Sequence, residues 1–538
     1  MSEQWSPEER AALSPYFTNL DAPVFALVNL PEVVKGALFA RYSRSPKSLR
    51  RLFLDEFLSN GVASSANRGG VGGGAASPPT FTDTKRAEEL YGRMFFEYGD
   101  DSVAQLGGVH LACEGASNLL TKVLEWGRLA AYLEQSTRYV PYDDLVDGRH
   151  RYHVPRELDG ALRERYVRTL DAMFATYREL LPILREHFTA RFPKDAQTPD
   201  GAYRMSIRAK ALDTLRGLLP AATTSNVGIS GTGQAYENLL LRMRAHPLEE
   251  VRAYADLMLV ELRKVIPAFL RRVDLPDRGG AWSSYLAETR AATARAAAEA
   301  LADEVAPPRD EVTLTDFDPE GEVKVVAAAL YAVSDTPDDR LLDVARKMTE
   351  EERRRVLDAY VGRRTNRRHR PGRAFERTAY RFDVLADYGA FRDLQRHRLL
   401  TLEWQRLSPQ HGSVMPEAVV EAGVEDRWHR SLEASAALYD AIAAAGLTEV
   451  APYAVAMAYR VRFYMDMNAR EAMHLIELRS APQGHPAYRR VAQAMHRLIA
   501  ERAGHRALAA AMTFADHSEV ALERLEAERA AERRRGGR

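Results

Sequence analysis

Hydrophobic residues recur at helical spacing over most of this chain and alternate with polar residues only in short stretches. Spacings of three and four residues predict helices over 33–57 and largely amphipathic helix over 158–275, for example at 163–188. Alternation over 109–113 and 380–384 predicts half-buried strands. The pattern therefore predicts a helix-rich protein in which short strands interrupt the helices.

The hydrophobic pattern of the first part of the chain returns in the second part. Residues 323–348 echo 33–57, and a glycine turn, an alanine-rich helix and a Pro-Pro stop lie between the two copies. An internal duplication accounts best for this self-similarity. We therefore expect four regions: a first domain over 1–280, a linker over 281–312, a second domain over 313–530 and a charged tail over 531–538.

The stretch 61–79, GVASSANRGGVGGGAASPP, is rich in glycine and predicts a flexible loop. Two interpretations of this loop stay open. It is either a mobile flap over an active site or a disordered insertion at the surface.

Composition and charge narrow the classes of function. The chain has 538 residues, too many for one compact core, and its 75 basic residues balance its 75 acidic residues. This balance leaves no electrostatic footprint for broad binding of nucleic acid or anionic membranes. Because the sequence has no apolar run of about 18 residues and no secretory pattern at its start, we expect a cytoplasmic protein without nucleic-acid or membrane partners.

The chain has one cysteine, Cys113, and it lies in the alternating stretch near residue 110. One cysteine cannot form a disulfide framework or a cysteine-rich metal site, so we expect no metal centre of that kind. We expect Cys113 to be a small buried hydrophobe.

The strongest candidate for chemistry is Arg396-His397-Arg398, in a segment with a helical pattern, FRDLQRHRLLTLEWQRLS (391–408). Buried cations without partners cost several kcal/mol each, so this cluster requires anions. Those anions are carboxylates, or the phosphates of a ligand that forked arginine donors hold bidentately. The alternative is a solvated basic face. A second stretch, LEWGRLAAYLEQSTRYVPYD (124–143), is similar to the first and favours a ligand.

Together the two stretches resemble the flavin-dependent thymidylate synthases, whose signature reads roughly QxxRHRxxSYxEQSxRY. The first copy keeps the right-hand end as EQSTRY (134–139) but has Trp126-Gly127-Arg128 in place of Arg-His-Arg. The second copy keeps Arg-His-Arg but has WQRLS (404–408) in place of the Glu, Ser and Arg of the signature. Each copy keeps what the other has lost.

Three further features carry the resemblance. The family pattern Asn-x-Arg-x3-Asn/His-x4-Arg is present as Asn468, Arg470, His474 and Arg479. Glu376 precedes Arg396 by 20 residues, which is similar to the family spacing between its glutamate and Arg-His-Arg. Ser102 matches a serine of the upstream family motif in the first copy.

The resemblance implies a fold and a reaction. The fold would be α/β (α+β) and helix-rich, with two tandem domains that each surround a small mixed sheet with helices. The reaction would be the reductive methylation of dUMP to dTMP, in which reduced FAD relays the methylene group of methylenetetrahydrofolate and NADPH reduces the flavin.

The resemblance also implies roles for single residues. FAD would be bound by Arg396, His397, Arg398, Asn468, Arg470, His474, Glu376 and Ser102. The substrate would be bound by Glu134, Gln135, Ser136, Arg138 and Arg128. Arg479 stands where the family has an arginine that polarises the uracil ring. Because the family assembles as a homotetramer, this tandem chain is expected to form a homodimer that is a pseudo-tetramer. Its site would be a hybrid, with flavin held mainly by the second half and dUMP by the first.

Two other functions remain open at this stage. The chain could be a non-catalytic homologue with a binding or assembly role, since each copy of the signature is incomplete. It could also be a flavin enzyme that acts on another nucleotide.

Overall fold

The computed structural model describes residues 4–21, 25, 27–42, 47–58, 105, 107–138, 140–305 and 307–536. The glycine-rich stretch 61–79 and Ser102 lie outside the described residues.

The first half of the chain contains helices and a three-stranded sheet. Its elements are α1 (Pro7–Leu13), α2 (Glu32–Tyr42), α3 (Leu49–Phe53), β1 (Gly108–Ser117), α4 (Asn118–Leu124), β2 (Ala130–Glu134), α5 (Gly160–Arg191), α6 (Asp200–Leu215), β3 (Thr224–Thr232), α7 (Gly233–Arg244), α8 (Glu249–Arg263) and α9 (Ala281–Ala300).

The second half has the same kinds of element. They are β4 (Val312–Phe317), α10 (Gly321–Tyr331), α11 (Asp338–Lys347), α12 (Glu350–Val361), β5 (Ala379–Asp387), α13 (Tyr388–Leu394), β6 (Thr401–Trp404), α14 (Glu417–Glu421), α15 (Glu425–Ala444), β7 (Arg460–Asn468), α16 (Ala469–Arg479), α17 (Pro486–Glu501), α18 (Arg506–Ala510) and α19 (Leu525–Gly536).

The two halves repeat one local plan. The sheet of the first half has the strand order β1-β3-β2, and the second has β4-β5-β7-β6, so β5, β7 and β6 correspond to β1, β3 and β2. In both halves a seven-residue helix follows the first of these strands, and a side chain caps it: Ser117 accepts from the Leu120 amide, and Asp387 accepts from the Ala390 amide. This repetition fits the tandem duplication expected from the sequence.

The described chain divides into two compact units that do not follow the order of the sequence. One unit comprises Met1–Cys113, Gly127–Leu133 and Val227–Ala302, and the other comprises Glu114–Trp126, Glu134–Asn226 and Asp303–Arg538. The compact units are defined by packing, whereas the predicted domains are copies of a duplicated sequence. The boundaries 1–280, 281–312, 313–530 and 531–538 therefore remain a prediction.

Tyr236 makes buried polar contacts within the first unit. The Tyr236 hydroxyl donates to the carbonyls of Val109 and Ile229, at 2.9 and 3.0 Å. Gly233, which begins α7, allows close packing, because a Cβ there would lie 2.8 Å from the Phe269 side chain. Cys113 is 4% exposed, and burial raises the pKa of its thiol to about 11. It is the buried hydrophobe expected from the sequence.

The second unit contains the longest helix and the four-stranded sheet. The amphipathic helical pattern predicted at 163–188 belongs to α5, whose buried face includes Tyr166, Leu170, Phe174 and Tyr177 at the expected spacing. The alternation predicted over 380–384 belongs to β5, where Tyr380, Phe382 and Val384 are all fully buried.

Segments of both halves meet inside the second unit through equivalent residues. Pro220 forms a bridge with Ala456, and they stand four positions before the equivalent strands β3 and β7. The Tyr388 hydroxyl donates to the Asn118 carbonyl at 2.9 Å, and these residues begin the two equivalent seven-residue helices. Contacts between equivalent positions are typical of a two-fold interface, here formed within one chain.

One detail of the expected fold is wrong. Each half was expected to contain a mixed sheet, but the two sheets are antiparallel. In the second half β5 pairs antiparallel with β4 and β7, and β6 pairs antiparallel with β7. Among the described helices, none is both long and apolar enough to cross a membrane.

Candidate functional site

The two signature ends that the halves retain meet in the second unit. Glu134 is the last residue of β2, and its carboxylate accepts a hydrogen bond from Arg396 at 2.6 Å. The sequence pattern predicted a helical setting for Arg396-His397-Arg398, which is wrong. The helix α13 ends at Leu394, and the three residues lie in the connection between α13 and β6.

Glu134 is the centre of a buried ion cluster. Its side chain is 0% exposed and contacts Arg392 at 2.8 Å, Arg396 at 2.6 Å and Lys122 at 3.3 Å. Burial alone would raise the pKa of Glu134, but Arg392, Lys122 and Arg396 together hold it well below its usual range. Glu134 therefore stays ionised, and the three cations share its charge.

Lys122 and Arg392 occupy the fifth position of their equivalent helices, α4 and α13. The Lys122 ammonium also contacts Glu125 at 2.6 Å, and both side chains are almost fully buried. Burial raises the pKa of Glu125, although Lys122 opposes that rise. The cluster thus draws one cation from the same helix position in each copy of the repeat.

A second carboxylate, Asp393, lies on the other side of Arg396. It contacts Arg216 at 3.2 Å and Arg396 at 3.8 Å. Burial opposes its ionisation, but Arg216, Arg396, Arg479 and Arg138 hold the pKa of Asp393 far below its usual range. Asp393 stands where the family signature has glutamine.

Arg138, predicted to bind substrate, is held by Asp213. Its Nε and Nη2 atoms donate to the two oxygens of Asp213 at 2.7 and 2.6 Å, a bidentate arrangement. Its Nη1 atom donates to the Tyr488 hydroxyl at 3.2 Å. Arg138 is therefore fixed in orientation.

These charged side chains surround a narrow cleft with an excess of positive charge. The cleft is lined by residues of the EQSTRY motif and of α13 and has a volume of about 10 Å³, roughly the space of one water molecule. The cluster holds six cations and four carboxylates: Lys122, Arg138, Arg216, Arg392, Arg396 and Arg479 against Glu125, Glu134, Asp213 and Asp393.

A hydrogen-bonded chain runs through His397 and connects Arg479, the predicted catalytic residue at the end of α16, to Glu471 near the start of the same helix. The Nε atom of Arg479 donates to His397 Nε2 at 3.0 Å, and His397 Nδ1 lies 3.0 Å from Glu471 Oε1. Because Nε2 accepts a hydrogen bond, the neutral imidazole carries its proton on Nδ1. The Nδ1–H group donates a hydrogen bond to Glu471. Burial and the neighbouring Arg479 keep the pKa of His397 well below its ordinary value, so the ring is neutral.

His397, Glu471 and His474 offer ligand atoms within 4.8 Å of one another, a spacing that could hold a metal ion. The surrounding charge opposes this. Arg370 donates to His474 Nδ1 at 2.8 Å, and Arg479 occupies His397 Nε2. Both histidine pKa values are lowered by burial and by nearby arginines, so the environment is cationic and suits an anion.

The other predicted flavin-binding residues lie around the start of α16. Asn468 caps the helix by accepting from the Glu471 amide at 2.9 Å. Arg470 donates to the Pro371 carbonyl at 3.0 Å and lies 3.6 Å from Glu376. The structure therefore brings Asn468, Arg470 and Glu376 together with His474.

The remaining predicted residues differ in setting. Gln135 follows β2, and its amide donates to the Asn226 carbonyl at 2.8 Å. The Ser136 hydroxyl accepts from the Arg138 amide at 3.3 Å and lines the cleft. Arg398 is exposed. Arg128 is also exposed and belongs to the first unit, whereas the ion cluster belongs to the second.

Sequence reasoning missed several members of the cluster, among them Lys122, Arg392, Asp213 and Arg216. A signal existed for Lys122, because it interrupts the apolar helix NLLTKVL (118–124) at a position that must be buried. Asp213 and Arg216 gave no local signal, since their partners are distant in sequence.

Where the signature has decayed, two tryptophans take the place of the ion pair. Trp126 stands at the position of Arg396, and Trp404 stands at the position of Glu134. Their rings meet edge to face, with centroids 5.9 Å apart, and Trp126 Nε1 donates to the Leu402 carbonyl at 3.0 Å. The decayed counterpart of the site is therefore a packed aromatic contact without charge.

Comparison with known proteins relates this chain to the same family that the motifs resemble. The model of the thymidylate synthase complementing protein family matches residues 65–268 and 313–503. A UPF0159 protein of Chlamydia pneumoniae is 40% identical over 98% of this chain and 98% of its own length. A UPF0159 protein of Thermoplasma acidophilum is 29% identical over 92% of this chain and 97% of its own length.

A shorter relative is named for its activity. The flavin-dependent thymidylate synthase of Mycobacterium marinum is 32% identical over 181 residues, which are 33% of this chain and 66% of that protein. Two matches to one family model in a single chain fit the tandem duplication.

We expect Glu134→Gln to lower the free energy of unfolding by about 3–5 kcal/mol, because it removes the shared partner of two buried cations, Lys122 and Arg392, and of the partly exposed Arg396. Urea unfolding followed by circular dichroism measures this loss. Glu164→Gln is the control, since Glu164 is 73% exposed and its ion pair with Arg168 is expected to contribute at most about 0.5 kcal/mol. Equal effects of the two substitutions would contradict a central role for Glu134.

We expect Trp126→Ala and Trp404→Ala each to destabilise the protein, with a coupling energy of about 1 kcal/mol in a double-mutant cycle, because the rings contact each other directly. Urea unfolding of both single variants and the double variant gives this value. The partly exposed Trp282 provides the matched single substitution and should cost less. Strictly additive losses would show that the two rings do not interact.

We expect the contribution of Glu471 to stability to depend on pH. Burial raises the pKa of Glu471 from 4.5 to about 7, so the folded state holds its proton more tightly than the unfolded state. The resulting stability is complete below about pH 4.5 and is lost as pH rises through 7. The variant Glu471→Gln should therefore gain roughly 3 kcal/mol relative to the parent between pH 4.5 and 8. Urea unfolding across this range tests it, and a constant difference would mean that Glu471 is already ionised when folded.

Proposed function

Because this chain belongs to the thymidylate synthase complementing protein family, we propose that it is an FAD-dependent thymidylate synthase with a hybrid site. It would methylate dUMP reductively to dTMP with methylenetetrahydrofolate and NADPH. The observation that carries the proposal is the contact of Glu134 with Arg396 at 2.6 Å, which joins the signature ends retained by opposite halves.

The charge of the cluster supports binding of a phosphate. Arg138, Arg216, Arg392 and Arg396 line the cleft, and the dianion of a nucleotide monophosphate is the kind of ligand that such arginine donors bind. Arg138 lines this cleft and would contact the substrate phosphate. Arg396 lines it too, with a side chain that remains 34% exposed while Glu134 fixes one end of it, and would face the flavin. The forked N–H donors of arginine match the geometry of a phosphate and can bind it bidentately.

The substrate would be bound mainly by the first half. Gln135, Ser136 and Arg138 follow Glu134 directly and would bind dUMP together with it. The present cleft of about 10 Å³ is smaller than a nucleotide, so substrate entry requires the cleft to widen. The Arg138–Asp213 contact is the natural point of change, because a phosphate would replace the carboxylate as the partner of Arg138.

Arg479 would act on the uracil ring. Its Nε atom is fixed by neutral His397, and its guanidinium lies 5.5 Å from the centre of the Tyr488 ring. Glu471 holds His397 in the tautomer that accepts from Arg479. A preorganised cation at this position would stabilise negative charge as it develops on the ring.

The residues of the second half fit FAD through their charge and donors. Arg396, Arg398, Arg470 and His474 would hold its phosphates, with His397, Asn468 and Glu376 orienting them. The cationic surroundings of His397 and His474, which disfavour a metal, favour a pyrophosphate. When bound, FAD supplies the reducing equivalents and the carrier for the one-carbon unit.

The paired tryptophans imply how many sites each chain forms. The equivalent of the ion cluster is occupied by Trp126 and Trp404, which offer no charge to a phosphate. We therefore expect one hybrid site per chain and two in the homodimer that would correspond to the family tetramer.

We expect the purified protein, supplied with FAD, to show a flavin absorption spectrum that changes on titration with dUMP. The reason is that Arg396 and Arg138 line the same cleft and would bring both ligands into one site. Formation of dTMP from dUMP, methylenetetrahydrofolate and NADPH completes the test. Substitution of Arg138 by Ala should remove the response to dUMP while flavin stays bound.

Arg406→Ala is the matched control for that experiment, because Arg406 stands at the position of Ser136 in the decayed copy and is paired with Glu449. This variant should behave like the parent. Failure to bind flavin in excess FAD would contradict the proposal and favour a binding or assembly role. A flavin spectrum that responds to another nucleotide but not to dUMP would favour a different substrate.

A further inference from the structure

The loop GRRTNRRHR (362–370) of the second unit carries a concentrated positive charge. It follows α12 directly and contains five arginines and no acidic residue. The helix before it is balanced, because its three arginines stand beside four acidic residues, Glu350, Glu351, Glu352 and Asp358. The excess of positive charge is therefore confined to one short loop.

Contacts within the unit hold this loop in a defined shape. Arg364 donates to both carboxylate oxygens of Glu477 at 2.6 Å, and the two side chains are 2% and 1% exposed. Its Nε atom also donates to the His369 carbonyl at 2.5 Å. The Asn366 side chain accepts from the Arg368 amide at 2.8 Å, which closes a tight turn. One arginine thus anchors the loop, and the others are free to serve a ligand.

Of the arginines in this loop, only Arg364 has a carboxylate within 4.0 Å among the described residues. Arg363, Arg368 and Arg370 are exposed, and Arg367 is half-buried. Arg370 donates to His474 Nδ1 at 2.8 Å. Burial is the main cause of the low pKa of His474, about 4, and Arg370 and Arg367 are the next, so both guanidinium groups lie near this neutral ring.

An ordered loop that gathers like charges opposes its own stability, because the charges repel one another. Arginines that served only to face solvent would lower this repulsion by spreading apart on a flexible segment. Here the Arg364–Glu477 pair and the Asn366 turn keep them together. This arrangement suits a multiply charged anion, and forked guanidinium donors match the oxygens of phosphate groups.

The surroundings of the loop favour a compact anion over a nucleic acid. Nucleic-acid sites combine an extended basic surface with exposed aromatic rings on which bases stack. The positive excess ends where α12 begins, and Tyr360 of that helix is stacked on the buried ring of Phe375. The one ring within the loop, His369, is contacted by Asn366 at 3.0 Å.

We propose that the loop 362–370 binds a compact polyphosphate, such as the triphosphate chain of a nucleotide. Arg363, Arg367 and Arg368 would bind its phosphate groups. The site adjoins the residues proposed for the phosphates of FAD through the Arg370–His474 contact, but it is additional to them. It requires neither a bound flavin nor thymidylate synthesis.

The test is a calorimetric titration of the full chain with inorganic triphosphate at about 0.15 M ionic strength, where weak surface attraction is screened. One site per chain is expected. Arg367→Ala and Arg368→Ala should each weaken binding about tenfold or more, because each removes a charge-assisted contact. The matched control is Arg354→Ala, since Arg354 is 71% exposed and has Asp358 as its partner, and it should leave binding unchanged.

A second variant separates a built site from charge alone. Asn366→Ala keeps every arginine but removes the acceptor that closes the turn, so it should weaken binding of inorganic triphosphate several-fold. Binding that is unchanged in this variant would overturn the proposal, because the charges would then act without a defined geometry.

Further outcomes separate this site from the flavin site and from nucleic acid. Binding of inorganic triphosphate that persists in excess FAD and depends on Arg367 supports the proposal, even if the protein makes no dTMP. Complete displacement by FAD would overturn it, since the anion would then occupy the position of the flavin phosphates. Absence of binding would also overturn it, as would tighter binding of a single-stranded oligothymidylate through the same arginines.

Discussion

The buried carboxylate of Glu134 is the interaction on which this architecture depends. Lys122, Arg392 and Arg396 converge on it, and burying these cations without a counter-charge would cost more than the fold can offset. Glu134 comes from one half of the repeat, whereas Arg392 and Arg396 come from the other. One ionised group thus fixes the contact between the halves and the position of the candidate site.

This dependence explains why the two copies of the signature could diverge in opposite directions. When two related sites are built from identical copies, every copy must keep the residues that both sites require. After duplication within one chain, each copy can keep the residues for one site alone. At the released site, Trp126 and Trp404 now form an aromatic contact, which stabilises the interface without the desolvation that an ion pair requires.

The sequence was sufficient for the local and repeated features of the molecule. Periodicity predicted the helical pattern of α5, the strand β5 and the buried setting of Cys113, and the complementary motifs predicted that the segments of Glu134 and Arg396 would lie together. Sequence could not predict that Asp213 holds Arg138, because their contact spans 75 residues and leaves no periodic trace. The helical setting expected for Arg396 failed because its polarity was interpreted as one face of a helix, whereas α13 ends at Leu394.

The change from glutamine to Asp393 is the departure most in need of a physical account. A carboxylate beside Arg396 reduces the positive charge that a phosphate would meet, so by itself the change weakens an anion site. Arg216 offsets it, since it contacts Asp393 at 3.2 Å and adds a cation at the same point. Its Nη1 atom is committed to Asp393, whereas its Nη2 atom is buried without a partner among the described residues. The cluster therefore keeps its positive excess.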